Sequence, residues 1–238
     1  MRIDHVVIHV PSLERAVERY AGLGFTVALG GEHPAFGSRN ALIPFEDGSY
    51  LELVTFVEER PLDGGAAQRR FRAWRTRQGL ADWVLSADDL AQTVARLGAG
   101  WSAPERGHRL RPDGQTVAWE VAFPDRHELP FLISDLTPRD LRVLPGDARR
   151  HANGARGIAR LTVAVPALDD ALPRYAALLG HAGTPCDRPL PGSVARCWRL
   201  GGATLDVVEA RPAASPHAAG PIALALWGNE GAMIEVAA

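Results

Sequence analysis

The sequence predicts an α+β fold of tandem βαβββ modules, two of which form an incomplete eight-stranded barrel. One pattern, a strand, an amphipathic helix and a glycine turn, recurs at 3–25, 80–101 and 158–180 of the 238 residues. Short segments with β-strand patterning follow each occurrence. A single βαβββ unit cannot close its own sheet, so two units are expected to face one another. The third occurrence predicts a third module with residual C-terminal strands.

The first module is predicted at 1–58. Alternation of apolar and polar residues at the start of IDHVVIHVPSLERAVERYAGLGF indicates a strand. Pro11 ends this strand, and Ser12 is a good N-cap for the helix that follows. The segments FTVAL, NALIPF and SYLELVTF then supply three more strands.

The second module is predicted at 79–135, with strands in TVAWEVAF and ELPFLIS after its helix. A helix at 59–78 joins the two modules. It is basic and amphipathic, and we interpret it as a solvated connecting helix. It lacks the interleaved aromatic residues and additional basic faces that a nucleic-acid surface requires.

The remaining sequence divides into a linker at 136–156 and a third module at 157–238. The linker is rich in proline and arginine. The third module contains IARLTVAVPALDDALPRYAALLG, then the strand-like segments VARCWRL and ATLDVVEA. PIALALW and AMIEVA have no helix between them and are interpreted as a truncated fourth unit.

Composition excludes several classes of function. The net charge of −2 implies no general affinity for nucleic acid or anionic membranes. No apolar run approaches 18 residues and no signal peptide is evident, so a cytoplasmic location is expected. Two cysteines, Cys186 and Cys197, give no disulfide framework and fit a reduced setting. Cys197 is expected to be a small buried strand residue.

His5 and Glu52 are the leading candidates for a functional site. His5 lies on the first strand of the first module, and Glu52 lies on its last strand. Leu51 and Leu53 flank Glu52, so its side chain lies on the opposite face of the strand from theirs. A carboxylate within an apolar strand is costly unless it is paired or bound to a metal.

Several segments resemble the vicinal oxygen chelate superfamily, and more specifically the bacterial glyoxalase-like domain family. They are IDHVVIHVPSLERA, the G-x-x-H-x-x-x-G-x-x-N run at 30–40, YLEL at 50–53, the R-x-R-P-D-G…W run at 109–119 and LPFLI at 129–133. The resemblance covers residues 1–135 well. It implies a lyase, isomerase or dioxygenase with a divalent metal (Zn, Mn, Fe, Co or Ni) held by His5 and Glu52. It also implies a homodimer, and makes Glu52 a candidate catalytic base.

The other modules depart from the ligand pattern of the family. In the second module, Ala81 aligns with His5, and a residue near Phe131 aligns with Glu52. In the third module, Arg160 aligns with His5, and Asp206 aligns with Glu52. Arginine stays protonated and cannot be a ligand, so an Arg160–Asp206 ion pair is predicted there.

Two hypotheses therefore remain open for the barrel cleft. One is a metal-dependent enzyme in which His9, His33 or a second chain completes the metal site. The other is a metal-free protein of the same fold that binds or sequesters a small molecule. In both, the candidate substrate-binding residues are His9, His33, Asn40, Arg109 and Trp119.

Overall fold

The chain folds into two β-sheets with short helices packed around them. The structure is a computed structural model that describes residues 1–57, 64–186, 194–209, 219–229 and 233–236. Among these residues, no helix is both long and apolar enough to cross a membrane. The first sheet is a closed barrel of eight strands, and the second sheet has six strands.

Each module begins with a strand that is followed by an amphipathic helix. In the first module, the hydroxyl of Ser12 accepts a hydrogen bond from the backbone N–H of Arg15, which confirms the predicted helix cap. The elements of the first module are β1 Arg2–His9, α1 Leu13–Gly22, β2 Ala28–His33, β3 Ser38–Pro44 and β4 Tyr50–Phe56.

The rest of the chain repeats this order with one helix added before the second module and two short turns after it. These elements are α2 Ala66–Arg75, β5 Gly79–Ser86, α3 Leu90–Leu97, β6 Glu105–Leu110, β7 Thr116–Ala122, β8 Phe131–Asp135, α4 Arg139–Arg142, a 3-10 turn at Gly146–Arg149, β9 Gly157–Val165, α5 Leu168–Leu179, β10 Thr184–Pro185, β11 Ala195–Leu200, β12 Ala203–Glu209, β13 Gly220–Trp227 and β14 Met233–Val236.

The strand order is β1-β4-β3-β2-β6-β7-β8-β5 in the barrel and β10-β11-β12-β9-β13-β14 in the second sheet. The barrel has an approximate two-fold symmetry that exchanges the first and second modules. In each module the first strand is parallel to the last, and β1 and β5 are antiparallel to each other. The ring closes at β2 and β6 through one residue pair, Glu32 and Leu110. The predicted eight-stranded barrel is thus confirmed. Its closure, which was expected to be incomplete, depends on this single described residue pair.

A β-bulge recurs in the first strand of all three modules. The extra residue is Asp4 in β1, Ala81 in β5 and Ala159 in β9. The bulges therefore align Ala81 with Asp4, not with His5, and the true counterpart of His5 is Asp82. The sequence alignment was wrong by one residue because a bulge changes strand register without changing the local pattern.

The second sheet contains the third module and two further strands. β13 runs antiparallel to β9, as β5 does to β1, so β13 occupies the place of a first strand in a fourth unit. β14 is antiparallel to β13, whereas the last strand of a unit is parallel to its first. β13 therefore corresponds to the first strand of a unit, whereas the pairing of β14 differs from that of a last strand.

One hydrophobic core joins the barrel to the second sheet. Trp83 and Leu85 of β5 belong to the same buried cluster as Leu161 and Val163 of β9. The segment 136–156, expected to be a linker, is also packed against the barrel, and its Arg142 is 2% exposed. The barrel interior on the other side of β1 and β5 is left to form a cavity.

Candidate functional site

The barrel encloses a cavity whose space, together with its open mouth, measures about 770 Å³. Its walls are mainly aromatic and aliphatic, and its polar residues converge at one end. The apolar lining consists of Phe36, Val54, Phe56, Ala67, Phe71, Trp74, Trp119, Val121, Phe123, Phe131 and Ile133.

Helix α2 forms part of this wall, which corrects its interpretation as a solvated connector. Phe71 and Trp74 line the cavity, and Phe71 packs edge-on against Phe36 at 4.5 Å between ring centroids. Arg70 of the same helix is buried. It donates to both carboxylate oxygens of Asp82, at 2.5 and 2.6 Å. The first five residues of the predicted helix, 59–63, lie outside the described residues.

The polar end of the cavity centres on Glu52, as its position between two leucines predicts. The Nδ2 of Asn40 donates to Glu52 Oε1 at 2.6 Å, and His5 Nε2 lies 3.4 Å from Glu52 Oε2. Gly30 lies against Asn40, since a Cβ at Gly30 would lie 2.1 Å from the amide oxygen of that residue. The imidazole of His5 stacks on Tyr50, with ring centroids 4.4 Å apart.

Asp4 was missed as a site residue and holds the other side of His5. Its Oδ1 lies 2.7 Å from His5 Nδ1, so it fixes the direction in which Nε2 faces Glu52. Adjacent residues of a regular strand point to opposite faces, but the bulge at Asp4 lets the two side chains meet. The guanidinium of Arg142 donates to both oxygens of Asp4 and to the hydroxyl of Tyr50.

These contacts set the charges of the site. Burial alone would raise the pKa of Glu52, but the hydrogen bond and charge of His5 lower it to about 2. Burial would lower the pKa of His5, yet its hydrogen bonds with Asp4 and Glu52 raise it above its usual value. Burial lowers the pKa of His33 to about 4. At neutral pH, Glu52 is therefore an anion and His33 is neutral, while the raised pKa of His5 favours its protonated form.

Arg109 and Trp119 both reach the cavity from the second module. Arg109 is 4% exposed and donates to the backbone carbonyl of Arg142 at 2.8 Å. Its Nε has no hydrogen-bond partner, and no carboxylate among the described residues forms a salt bridge with it. Trp119 lies across Gly107, where a Cβ would approach the indole nitrogen to 2.4 Å.

His33 also lies at the cavity, but His9 does not. The Nδ1 of His33 lies 3.2 Å from the hydroxyl of Ser38, and its ring contacts Trp119 edge-on. His9 pairs through Nδ1 with the backbone carbonyl of Arg77 at 2.8 Å and lines a separate surface depression. The structure therefore does not bring His9 into the cavity that His5 lines, because its imidazole is held at the end of β1 by the carbonyl of Arg77.

The corresponding position in the third module contains the predicted ion pair. Arg160 Nη1 lies 2.5 Å from Asp206 Oδ2, which confirms the prediction. Burial raises the pKa of Asp206, although Arg160 opposes this shift.

Cys186 and Cys197 form a disulfide beside this pair, contrary to the expectation of two unpaired cysteines, and Cys197 is only partly buried. Strands β10 and β11 pair next to one another and bring the two sulfurs together.

The charge of His5 can be tested by titration. We expect the imidazole of His5 to remain protonated above pH 6.5, and that of His33 to stay neutral down to about pH 4. Glu52→Gln removes a negative partner and is expected to lower the pKa of His5. Two-dimensional NMR of the histidine side chains measures both values, with exposed His181 as an internal control. A His5 pKa that does not change in Glu52→Gln would contradict the ion pair.

Sequence comparison identifies the family of this chain. Residues 3–179 match the model of the glyoxalase-like domain. The chain belongs to the glyoxalase-like domain family. Its fold is that of the vicinal oxygen chelate superfamily, as the paired βαβββ modules require. No curated protein matches the chain.

Solved structures share the fold at low sequence identity. A hypothetical protein from Staphylococcus aureus is 15% identical over 98% of this chain and 97% of its own, with a TM-score of 0.71. A xylose isomerase-like TIM barrel/4-hydroxyphenylpyruvate dioxygenase fusion protein is 19% identical over 94% of this chain, with a TM-score of 0.55. A 4-hydroxymandelate synthase variant from Streptomyces coelicolor is 19% identical over 87% of this chain, with a TM-score of 0.55. This chain spans only 36% of the fusion protein and 62% of the synthase.

The barrel residues do not supply a full set of ligands for a divalent metal. His5 Nε2 and Glu52 Oε2 face the cavity. In the second module, the position that corresponds to Glu52 is occupied by Phe131, which cannot bind a metal. Asp82, the counterpart of His5, has both oxygens bound to Arg70. Among the described barrel residues, no three donors from His, Cys, Asp or Glu lie within 4.8 Å of one another. A catalytic zinc site usually has three protein ligands, so the residues do not fit the metal site that the resemblance implies.

Proposed function

We propose that this protein binds a small aromatic carboxylate in the barrel cavity without a metal ion. The observation that carries this proposal is the buried guanidinium of Arg109 at the end of an aromatic cavity. A buried guanidinium that forms no salt bridge is costly, and an anionic ligand group would supply one. Glu52 does not form a salt bridge with Arg109, because its carboxylate already pairs with His5.

The aromatic walls favour a flat apolar ligand body. Phe71, Phe123 and Phe131 present ring faces and edges to the same space. Trp119 lies on β7 of the second module, and its ring contacts His33 edge-on. Neutral His33 and Asn40, whose Oδ1 has no partner, can bind a hydroxyl or amine on the ligand. The pocket therefore favours an aromatic ring with a carboxylate and one further polar group.

Proton-transfer catalysis is the second candidate function, and one specific arrangement favours it. Asp4, His5 and Glu52 form a row that places a cationic acid beside an anionic base at the cavity wall. Such a pair can donate a proton to one ligand atom while accepting a proton from another. Glu52 would act as the base and His5 as the acid.

Ligand binding tests the proposal. We expect simple aromatic carboxylates, such as 2-naphthoate and phenylacetate, to quench the fluorescence of Trp74 and Trp119. Arg109→Met is expected to weaken carboxylate binding by about tenfold to a hundredfold, the range for a hydrogen bond to a charged group. Arg126→Met is the control, because Arg126 is an exposed arginine of the second module that does not line the cavity.

The neutral amides of the same ligands separate charge recognition from simple apolar burial. Equal affinity for acid and amide, or no effect of Arg109→Met in a folded variant, would contradict the proposed role of Arg109. To separate the two functions, each bound ligand is incubated in deuterated water. Exchange of a carbon-bound proton that is lost in Glu52→Gln would favour the enzyme, and binding without exchange would favour the binding protein.

A further inference from the structure

A second cluster of chemically reactive groups lies in the third module, outside the barrel cavity. It contains Cys186, Cys197 and Asp206, whose candidate ligand atoms all lie within 4.8 Å of one another. The Sγ of Cys197 is 3.1 Å from Asp206 Oδ1, and the Sγ of Cys186 is 3.9 Å from the same oxygen. Arg160 binds the other carboxylate oxygen of Asp206.

Asp206 Oδ1 has no hydrogen-bond donor while the cysteines are oxidised. A disulfide sulfur has no proton to donate, so the two sulfur contacts do not satisfy this oxygen. No other partner of Oδ1 occurs in the described part of the chain, and Asp206 is only 4% exposed. A buried acceptor without a donor is unfavourable. The oxidised form thus holds an unsatisfied carboxylate oxygen aimed at two sulfurs.

We propose that the reduced form of this cluster is a binding site for a thiophilic divalent cation, with Zn²⁺ as the best fit. The two thiolates of Cys186 and Cys197 and one oxygen of Asp206 would supply three ligands, and water a fourth. Thiolate and carboxylate ligands in a tetrahedral set suit zinc. The disulfide form lacks both thiolates and does not bind the cation.

The charge of Arg160 suits a zinc site of this composition. Two thiolates and one carboxylate carry three negative charges, which the two charges of Zn²⁺ and the one of Arg160 neutralise. In the disulfide form, Arg160 and Asp206 neutralise each other without a metal. Each redox form therefore leaves the partly buried cluster without net charge, which limits the penalty of burial.

The position of Cys186 allows the two sulfurs to separate. Cys186 follows β10, a strand of two residues at the edge of the sheet that, among the described strands, pairs with β11 alone. Cys197 and Asp206 are direct partners on β11 and β12, so they stay together. Opening the bond requires a dithiol reductant, which gives two electrons and becomes a disulfide, while two cysteine thiols form. Zinc then displaces the two thiol protons.

The test uses the full-length protein in oxidised form and after reduction with a dithiol that is removed under anaerobic conditions. We expect the reduced protein to bind one Zn²⁺ per chain by isothermal titration calorimetry, with proton release. The oxidised protein is expected to bind none at this cluster. Co²⁺ in place of zinc is expected to produce thiolate-to-metal charge-transfer absorption in the reduced protein alone.

Variants assign the site to these residues. Cys186→Ser and Cys197→Ser are expected to abolish the cobalt spectrum, and Asp206→Asn to weaken zinc binding by about tenfold or more. Asp169→Asn, an exposed acid on α5, and Glu52→Gln in the barrel are expected to leave zinc binding unchanged. The proposal is overturned if the reduced protein binds no zinc, if either serine variant keeps the cobalt spectrum, or if folded Asp206→Asn binds zinc as well as the unaltered protein does.

Discussion

Replacing Arg70 with methionine is expected to lower the free energy of unfolding by about 3–5 kcal/mol. Arg70 and Asp82 are both 2% exposed, and the guanidinium makes two hydrogen bonds to the carboxylate and one to the carbonyl of Leu129. Methionine fills much of the same space, so the loss comes mainly from the uncompensated charge of Asp82. Urea unfolding followed by tryptophan fluorescence measures the change.

A matched surface variant and a double variant test this explanation. Arg69→Met changes an exposed residue of the same helix and is expected to change stability by no more than about 0.5 kcal/mol. Arg70→Met combined with Asp82→Leu removes both charges and is expected to be more stable than Arg70→Met alone. If the double variant is no more stable than the single one, packing of α2 rather than the buried charge explains the loss.

The sequence predicted the features that depend on local patterns. The recurring strand–helix unit gave the barrel, and the leucines on either side of Glu52 indicated that its side chain faces the cavity. The same reasoning applies to Asp82, which lies in the apolar strand segment LADWVLS. It was overlooked because a misalignment by one residue assigned the ligand position to Ala81. An acid in an apolar strand was therefore a usable signal for both modules.

Other site residues could not be predicted because their roles depend on contacts distant in sequence. The bulge at Asp4 is set by pairing with β5, more than 75 residues later in sequence, and it decides that Asp4 meets His5. Arg70 looks like a solvent-exposed arginine until its partner Asp82 is known. Arg142 lies 138 residues from Asp4, in a segment whose composition is typical of a linker. In each case tertiary contacts overrode a local preference.

Replacing Arg142 with methionine is expected to destabilise the protein by about 3–5 kcal/mol at neutral pH. Arg142 is 2% exposed and binds Asp4, which is fully buried, together with Asp135 and the hydroxyl of Tyr50. Without it, Asp4 keeps His5 and the less buried Arg139 as partners. Thermal and urea unfolding measure the loss. Arg150→Met is the control, because the side chain of Arg150 is exposed and forms a salt bridge with exposed Asp147.

The pH dependence of this loss distinguishes a charge effect from a packing effect. Burial would raise the pKa of Asp4, but Arg142 and His5 lower it well below its usual value. Stability from Asp4 is therefore present above the unfolded pKa of about 3.9 and is lost as the pH falls towards the lower folded pKa. The stability difference between the unaltered protein and Arg142→Met should accordingly shrink as the pH falls from 6 to 3. A difference that stays constant over this range would assign the loss to packing, because a loss caused by charge must change as carboxylates become protonated.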